Sequence, residues 1–330
     1  MIDIKIEKVE VTLGVDIGGT NTVIGLVDRQ GQVVVEKSIP TQAHEPSSRF
    51  FTRFHETITS LLVSIDEKYQ LLGVGIGAPN ANYYRGTIEY PPNLSWGGVT
   101  PVVEIVRKML NLPVVMTNDA NAAAMGELVF GAARGMKHVV VITLGTGLGS
   151  GIIVDGKLLY GADGFAGELG HVIVDPHGRT CGCGRYGCLE TYASATGICR
   201  TVLEKVASTS QQSVLRKINA ADVTSKKIYE AALEGDTLAL DAFEETGKIL
   251  GMKLADTVAH LSPEAIILFG GLAQAGDLIF KPTHRSLEEN LLGIFKNKVK
   301  LIPSGLPEGN SAVLGASALI WDELDKKKRT

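Results

Sequence analysis

Several kinds of segment are missing from this sequence, and each absence excludes a class of protein. No apolar run approaches the roughly 18 residues that a membrane-spanning helix needs. The N-terminus, Met1–Glu7, alternates apolar and charged residues, whereas a secretory signal has a basic start and then an unbroken apolar stretch. The net charge is only -4, and the one basic run, Lys326–Arg329, is interpreted as a solvated tail. We therefore expect a cytoplasmic protein that binds neither membranes nor nucleic acid.

Cysteine is scarce, with 4 in 330 residues, and a reducing compartment argues against disulfides. Three of the cysteines nevertheless crowd together as Cys181, Cys183 and Cys188, and His171 precedes them. One imidazole and three thiolates are a tetrahedral zinc donor set, and intervening glycines would let the loop wrap around the ion. All four ligands would come from protein, so we expect a structural zinc. The alternative is four unrelated residues. Cys199 is expected to be a buried thiol.

Strands and helices alternate along the chain, which predicts an α/β protein. The order strand, glycine-rich turn, strand, tight turn, strand occurs twice. The first set is Val11–Val15, Thr22–Val27 and Gln32–Ser38, and the second is His138–Leu144, Ser150–Val154 and Lys157–Tyr160. We interpret this as an internal duplication, with chance similarity of two β-meanders as the alternative.

A length of 330 residues suits two domains, and no low-complexity linker separates the halves. We predict a small α/β domain from residues 1–118, completed by a C-terminal helix at 310–330. Residues 119–309 would form a large α/β domain with the zinc-binding loop. Two duplicated domains around a hinge are expected to place a ligand in the cleft between them.

Three glycine-rich turns follow buried strands, at Asp16–Asn21, Gly145–Gly149 and Gly270–Gly271. Glycines let the backbone approach an anion closely, so the first two turns could hold phosphate groups. Neither is a Walker A sequence or a dinucleotide fingerprint. Asp16 could hold the hydration shell of a Mg²⁺ ion beside the phosphates. The alternatives are an ordinary tight hairpin for the first turn and a packed helix start for the third.

Transfer of a phosphoryl group to an alcohol also needs a base for the hydroxyl proton. Asp119 follows a predicted strand and begins an alanine-rich helix, where loops face a cleft, and Asn118 beside it could orient a hydroxyl. Either residue could instead simply cap the helix. Glu168, His171 and Glu190 bracket the zinc loop and could bind the hydroxyls of a polyol, although Glu168 could equally be a surface residue.

Five stretches of the sequence resemble the ROK family of sugar kinases and repressors. They are LGVDIGGTNT at Leu13–Thr22, NDANAAAMGE at Asn118–Glu127, LGTGLGSGI at Leu144–Ile152, GELGHVIVD at Gly167–Asp175 and CGCGRYGCLE at Cys181–Glu190. The resemblance covers nearly the whole chain. It implies the actin/hexokinase-like (ribonuclease H-like) fold, a duplicated two-domain architecture with an interdomain cleft.

The resemblance also implies roles for individual residues. Asp119 is the implied base, and the implied sugar contacts are Asn93, Asn118, Asp119, Glu168, His171 and Glu190. The implied ATP, phosphate and metal positions are Asp16, Gly18, Gly19, Thr20, Asn21, Gly145, Thr146, Gly147, Gly270 and Gly271. His171 would use one ring nitrogen for zinc and the other for the sugar. The implied cofactors are ATP, Mg²⁺ and structural Zn²⁺, and the implied assembly is a homodimer or a dimer of dimers.

We therefore expect an ATP-dependent hexose kinase that converts glucose to glucose 6-phosphate. One departure bears on the substrate: glucokinase-like members commonly carry a second glycine after Ala78-Pro79, and this chain has Asn80-Ala81-Asn82. Kinases for N-acetylmannosamine, N-acetylglucosamine, mannose or fructose therefore remain open, as does a sugar sensor without catalysis. ROK repressors carry an N-terminal helix-turn-helix, whereas here the first core strand begins near Val11.

Overall fold

The computed structural model describes residues 8–65, 67–91, 93–307 and 309–329. Met1–Glu7, on which the expected lack of a signal peptide rests, lies outside the described residues. Two residues that border predicted features, Pro92 and Thr330, lie outside them as well.

The described elements alternate between strands and helices, as expected for an α/β protein. The strands are β1 (Val9–Ile17), β2 (Asn21–Asp28), β3 (Val33–Pro40), β4 (Tyr69–Gly77), β5 (Ala81–Asn82), β6 (Thr87–Glu89), β7 (Val99–Thr100), β8 (Val114–Thr117), β9 (Val139–Leu144), β10 (Leu148–Val154), β11 (Lys157–Leu158), β12 (Ala265–Phe269) and β13 (Lys300–Pro303). The helices are α1 (Ser47–Ser64), α2 (Val102–Leu110), α3 (Asp119–Val129), α4 (Ala195–Ser208), α5 (Ser225–Leu233), α6 (Thr237–Leu261), α7 (Asp277–Asn290) and α8 (Ser311–Arg329). Among the described helices, none combines the length and the apolar character needed to cross a bilayer.

The chain folds into two compact units. The first comprises the described residues of Met1–Gly135, Leu158–Ala166 and Gly305–Thr330, and the second comprises Met136–Lys157 and Gly167–Ser304. The contacts therefore divide the chain after Gly135, rather than after Asn118 as the sequence suggested. The physical reason is that α3 packs on α8, where Gly126 of one helix meets Gly315 of the other at backbone distance.

The sheet of the first unit has the strand order β3-β2-β1-β4-β8. Strand β1 pairs antiparallel with β2 and parallel with β4, and β4 pairs parallel with β8. The odd-numbered residues of β1 from Val11 to Ile17 are buried against α1 and α2. The even-numbered residues face α8, where the hydroxyls of Thr12 and Ser317 lie 2.7 Å apart. This two-residue alternation is what a sheet covered on both faces requires.

The sheet of the second unit has the strand order β11-β10-β9-β12-β13. Strand β9 pairs antiparallel with β10 and parallel with β12, and β12 pairs parallel with β13. This is the arrangement of the first sheet again, with β9 in the place of β1. The duplication inferred from two meanders is thus matched strand by strand. Apolar side chains of β9 and β12 form one core with α4, α6 and α7.

Two parts of the fold, a small sheet and one helix, were not predicted from the sequence. A small sheet of the order β5-β6-β7 lies between β4 and α2, and its strands are only two or three residues long. Helix α7 carries Pro282 in its interior and is packed along α6. Gly247 of α6 lies directly against that proline ring, so the close helix pair accommodates a residue that usually ends a helix.

The segment Leu158–Ala166 belongs to the first unit, although its flanking residues belong to the second. Tyr160 stacks on Tyr83 with ring centroids 4.0 Å apart. The amide of Asn82 donates to the carbonyl of Asp163 at 2.8 Å, and the hydroxyl of Tyr84 donates to the carbonyl of Gly161 at 3.0 Å. These contacts fix the segment to the small sheet.

Candidate active site

In the first unit, the carboxyl ends of three parallel strands meet at one edge of the sheet. The register pairs Asp16 of β1 with Gly77 of β4, and Gly77 with Thr117 of β8. Asn118 and Asp119 follow β8 directly. Functional groups in open α/β sheets collect at this kind of edge because the loops after all parallel strands emerge together.

Asp16 and Asp119 lie on either side of Gly77. A methyl group at Gly77 would contact both the Asp16 carboxylate oxygen, at 3.7 Å, and Asp119 Cα, at 3.8 Å. Burial of the Asp16 carboxyl, with a smaller contribution from the Asp119 charge, raises the pKa of Asp16 to about 7. A buried carboxyl of this kind gains strongly from a cation, because a positive charge restores the ionised form.

The start of α3 fixes the two residues after β8. The side-chain oxygen of Asn118 accepts from the backbone N–H of Asn121 at 2.7 Å, so Asn118 caps the helix. Asp119 is exposed in the first turn, and one of its oxygens accepts from the N–H of Ala120 at 2.8 Å. The capping role considered from the sequence thus belongs to Asn118. The carboxylate of Asp119 stays accessible to solvent.

The first glycine-rich turn closes tightly and meets a second loop. The N–H of Gly18 donates to the carbonyl of Asn21 at 3.0 Å, and the carbonyl of Thr20 accepts from Thr41 at 2.8 Å. Asn93 lies against Gly19, where an added methyl group would come within 3.1 Å of Asn93 Cβ. The first unit therefore brings the predicted residues Asn93, Asn118 and Asp119 to the same edge as the turn and Asp16.

In the second unit, the corresponding turn is backed by the start of α4. The carbonyl of Gly145 accepts from Ala195 N–H at 2.9 Å, and the carbonyl of Thr146 accepts from the Thr196 hydroxyl at 2.8 Å. Gly147 lies under Glu190, because a methyl group on it would meet the Glu190 carboxylate at 2.7 Å. The turn thus presents its backbone beside a carboxylate.

Gly270 and Gly271 follow β12 and lie beside the same turn. Gly270 has a φ of 99°, a conformation that favours glycine, and its Cα lies against the end of β9 at Leu144. Leu272 N–H then donates to the Leu144 carbonyl at 3.1 Å. Gly271 has open space beside its Cα within the described structure. Gly271 therefore leaves room for a flat group to approach the backbone, whereas Gly270 is packed against β9.

The four predicted metal ligands converge. The ligand atoms of His171, Cys181, Cys183 and Cys188 all lie within 4.8 Å of one another. The Cys183 and Cys188 sulfurs are 3.7 Å apart, and His171 Nδ1 is 3.7 Å from the Cys181 sulfur. A tetrahedral zinc with Zn–S bonds of about 2.3 Å has ligand–ligand edges of roughly 3.8 Å. The donor set and its spacing therefore fit a four-coordinate zinc ion.

The loop that carries the cysteines is anchored by Arg179, which sequence reasoning missed. Its guanidinium lies 4.4 Å over the ring of Tyr192 and donates to the carbonyls of Thr191, at 2.7 Å, and Gly197, at 3.2 Å. These contacts fix the loop to the N-terminus of α4. The only feature of the sequence that could have indicated this role is the position of the arginine just before the cysteines. Its partners lie more than ten residues further along the chain, so the sequence did not reveal the contacts.

Glu190 connects the metal cluster with the glycine turn. One oxygen lies 2.9 Å from the Cys181 sulfur and 3.7 Å from His171 Nδ1, and the other lies over Gly147. The Ser194 hydroxyl donates to the Glu190 carbonyl at 2.6 Å and caps α4 by accepting from Gly197 N–H at 3.0 Å. Sequence reasoning missed Ser194 too, although a serine just before the helix is the usual capping signal.

Glu168 is exposed and precedes a short 3₁₀ turn, Leu169–His171. Its carbonyl accepts from His171 N–H at 3.0 Å, so one turn of chain fixes the spacing between Glu168 and the histidine. The Ser150 hydroxyl of β10 donates to the Gly167 carbonyl and accepts from Leu169 N–H at 3.3 Å. The second unit thus groups Glu168, His171 and Glu190 around the metal ligands.

Comparison with known proteins identifies the family. The profile of the ROK family matches residues 12–323. The chain belongs to the ROK family. It is 37% identical over 287 residues to the glucokinase of Streptomyces coelicolor, covering 86% of this chain and 88% of that protein.

Two solved structures are similar along almost the whole chain. One is a ROK family glucokinase from Streptomyces griseus in complex with glucose and AMPPNP, with a TM-score of 0.77, 35% identity and coverage of 94% of this chain and 98% of that one. The other is a ROK family transcriptional regulator, a homolog of the E. coli MLC protein, with a TM-score of 0.86, 28% identity and coverage of 96% and 79%. The predicted actin/hexokinase-like fold class of this ROK protein is confirmed.

Proposed function

We propose that this ROK protein is an ATP-dependent hexose kinase and that glucose is its substrate. Its likeness to glucokinases of two Streptomyces species supports this, one of them solved with glucose and an ATP analogue. The observation that carries the proposal is the arrangement of Asp119: an exposed carboxylate at the carboxyl edge of the sheet, beside the partly buried Asp16 and the glycine-rich turn.

The proposal assigns the proton to Asp119. A carboxylate fixed at a helix start, with one oxygen accepting from Ala120 N–H, keeps its second oxygen for a sugar hydroxyl. Taking the proton as the oxygen attacks the terminal phosphate raises the nucleophilicity of that oxygen. Asn118, Asn93, Glu168, His171 and Glu190 are assigned to the other hydroxyls, where paired donors and acceptors would hold the hexose in one orientation.

The polyphosphate is assigned to the two glycine-rich turns, and the adenosine to Gly270 and Gly271. Mg²⁺, when bound beside Asp16, would offset the charge of the phosphates. The open space at Gly271 supports the nucleotide assignment, because a purine needs an unobstructed backbone surface.

We also propose that the cluster of His171, Cys181, Cys183 and Cys188 holds a structural zinc ion. A structural ion would fix the loop that carries Glu190 and hold the tautomer of His171. With Nδ1 directed at the cluster, Nε2 would be the nitrogen available to the sugar.

A coupled assay for ADP release tests the proposal with purified protein, ATP and Mg²⁺. The panel contains glucose, mannose, fructose, N-acetylglucosamine and N-acetylmannosamine. We expect kcat/KM to be largest for glucose. A larger value for another sugar would reassign the substrate, and the Asn80-Ala81-Asn82 departure makes this the first alternative.

A second candidate is a sugar-sensing regulator without catalysis, which the high TM-score to a ROK transcriptional regulator favours. Saturable sugar binding by calorimetry, with no ADP release for any sugar in the panel, would support the sensor and contradict the kinase. A cytoplasmic location and a homodimer or dimer of dimers stay predictions, which fractionation and sedimentation would test.

A further inference from the structure

A loop in the first unit carries Asn93 to the glycine-rich turn. It leaves β6 at Tyr90 and returns to β7 after Gly98. The N–H of Tyr90 donates to the carbonyl of Gly98 at 2.7 Å, which closes the base of the loop. Between these points, Asn93 lies against Gly19. We call the described residues of this segment, Tyr90, Pro91 and Asn93–Gly98, the Asn93 loop.

The base of the Asn93 loop has an unfavourable backbone conformation. Tyr90 has a φ of 46°, in the left-handed region that aromatic residues rarely occupy, and 73% of its surface is exposed. An exposed ring gains little from packing that could offset this conformation. The conformation must therefore be maintained by hydrogen bonds of the backbone around it.

Asn80 supplies those hydrogen bonds from the turn after β4. Its side-chain amide donates to two consecutive carbonyls, those of Glu89 and Tyr90, at 3.1 Å each. The Asn80 carbonyl in turn accepts from Glu89 N–H at 3.0 Å. Asn80 itself has a φ of 51°, which asparagine tolerates better than most residues. One side chain thus joins the β4 turn to the base of the loop.

The far side of the Asn93 loop has its own anchors. Ser95 N–H donates to the Ala43 carbonyl at 2.7 Å. The Trp96 ring packs on Phe50 of α1, with centroids 4.9 Å apart. Asn93 therefore lies between two fixed points, one at Trp96 and the other at the Asn80 hydrogen bonds.

We infer that Asn80 is a positioning residue for the hexose: its side-chain amide holds the Asn93 loop so that Asn93 is presented beside Gly19. This deepens the proposed function and rests on it in taking Asn93 as a sugar contact. Asn80 acts through the loop, so its loss should weaken sugar binding far more than it slows phosphoryl transfer.

The test compares Asn80→Gly with Asn111→Gly. Glycine adopts the left-handed backbone of both positions, so each change removes a side chain without adding strain. Asn111 has a φ of 53° and ends α2, away from the loop, and serves as the matched control. Asn80→Asp is the third variant: it keeps the size of the side chain but loses both N–H donors.

Hydrogen exchange at the backbone N–H groups of Tyr90 and Ser95 measures directly how firmly the loop is held. Calorimetry measures hexose affinity, and enzyme kinetics measures kcat and KM. We expect Asn80→Gly and Asn80→Asp to speed exchange at Tyr90 about tenfold. We also expect them to weaken hexose binding and raise KM about five- to tenfold, with kcat changed less than about twofold. Asn111→Gly should match the wild type in all four quantities.

Unchanged exchange in Asn80→Gly would overturn the inference, and so would faster exchange with hexose affinity equal to that of Asn111→Gly. Failure of the proposed function looks different: the wild type would bind sugar without releasing ADP. Exchange and calorimetry would still decide the role of Asn80 in that case, because neither depends on turnover.

Discussion

The two sheets of this ROK protein share one strand order but differ at corresponding positions. Counted back from the glycine-rich turn, Asp16 of β1 corresponds to Thr143 of β9. Asp16 carries a partly buried carboxyl with a raised pKa, whereas the Thr143 hydroxyl accepts from Gly149 N–H at 3.1 Å and so closes its own hairpin. The duplicated scaffold thus holds a charge in one copy and a neutral hydroxyl in the other.

The same counting reveals a second difference, in packing. The neighbouring pair Gly14 and Gly75 in the first sheet corresponds to Val141 and Ile267 in the second. Methyl groups on the two glycines would overlap the backbone carbonyls of Val313 and Ala316 in α8, so that helix lies directly on the strands. In the second sheet, branched side chains fill the position and are fully buried. The two sheets therefore keep the same strand order but differ in how closely the next layer of structure packs on them.

The largest expected effect distinguishes the proposed catalytic role of Asp119 in the first unit from the proposed sugar-binding role of Glu190 in the second. Asp119→Ala should lower kcat about 1,000-fold, because the base that accepts the hydroxyl proton is lost. Glu190→Gln, in the second unit, should mainly raise KM for the hexose. Steady-state kinetics measures both. Asp277→Ala, which also removes an exposed acid from the first turn of a helix, is the control for general effects. Near wild-type turnover in Asp119→Ala would contradict the assignment.

Packing differences between the sheets predict unequal tolerance to small changes. Gly75→Ala should destabilise the protein by about 3 kcal/mol, since the new methyl group would displace the backbone of α8. Ile267→Val, at the corresponding position, should cost only about 1 kcal/mol. Urea denaturation monitored by circular dichroism measures both. Equal losses of stability in the two variants would show that α8 can move away from β4 without cost. The inferred difference in packing between the two sheets would then be wrong.

Zinc binding should be confined to the second unit. Cys188→Ser should reduce bound zinc from about one ion per chain to nearly none, and lower the melting temperature by roughly 5 to 10 °C. Elemental analysis and calorimetry measure the two quantities. Cys199→Ser should change neither, because that thiol lies outside the cluster. Full zinc content in Cys188→Ser would contradict the proposed ligand set.

The smallest effect concerns the charge in the first sheet. The pKa of Asp16 is raised from 3.8 to about 7 in the folded protein, so folding disfavours its ionised form. Its contribution to stability is full below pH 3.8 and is lost as the pH rises to 7. In metal-free protein without nucleotide, Asp16→Asn should therefore gain stability relative to the wild type over this range, by about 1 to 2 kcal/mol after allowance for partial exposure.

Thermal melts of both proteins at pH 5 and pH 8 check this prediction. The stability difference should grow with pH and level off above pH 7. Thr143→Val is the matched variant in the second sheet, where no charge is involved and no such trend is expected. A constant difference for Asp16→Asn would mean that its carboxyl titrates normally.

Local features of the sequence were sufficient for much of the fold. The two meanders and their turns were predicted because strand alternation and glycine positions are short-range signals. Helix α7 was missed because Pro282 and a mostly polar sequence hide its period. Its packing along α6, which includes the contact of Pro282 with Gly247, is a tertiary feature. The small sheet was missed because two- and three-residue strands carry almost no pattern.

Candidate site residues could be listed from the sequence, but their environment could not. The proposed zinc ligands can be recognised from their spacing in the sequence. The raised pKa of Asp16, in contrast, depends partly on Asp119, far along the chain, and the roles of Arg179 and Asn80 depend on carbonyls of other segments. Such properties arise from tertiary contacts, which have no short-range signature.

The position of α8 has a consequence for synthesis on the ribosome. Strands β1 and β4 are made early, at a translation rate of about 5 to 20 residues per second, but the helix that rests on Gly14 and Gly75 follows all the other described elements. Until Ser311–Arg329 emerges, that face of the nascent sheet lacks the helix that makes most of its contacts. The unit that begins first is thus completed only after the second unit has been made, and a ribosome stalled before α8 would present a half-covered sheet to chaperones.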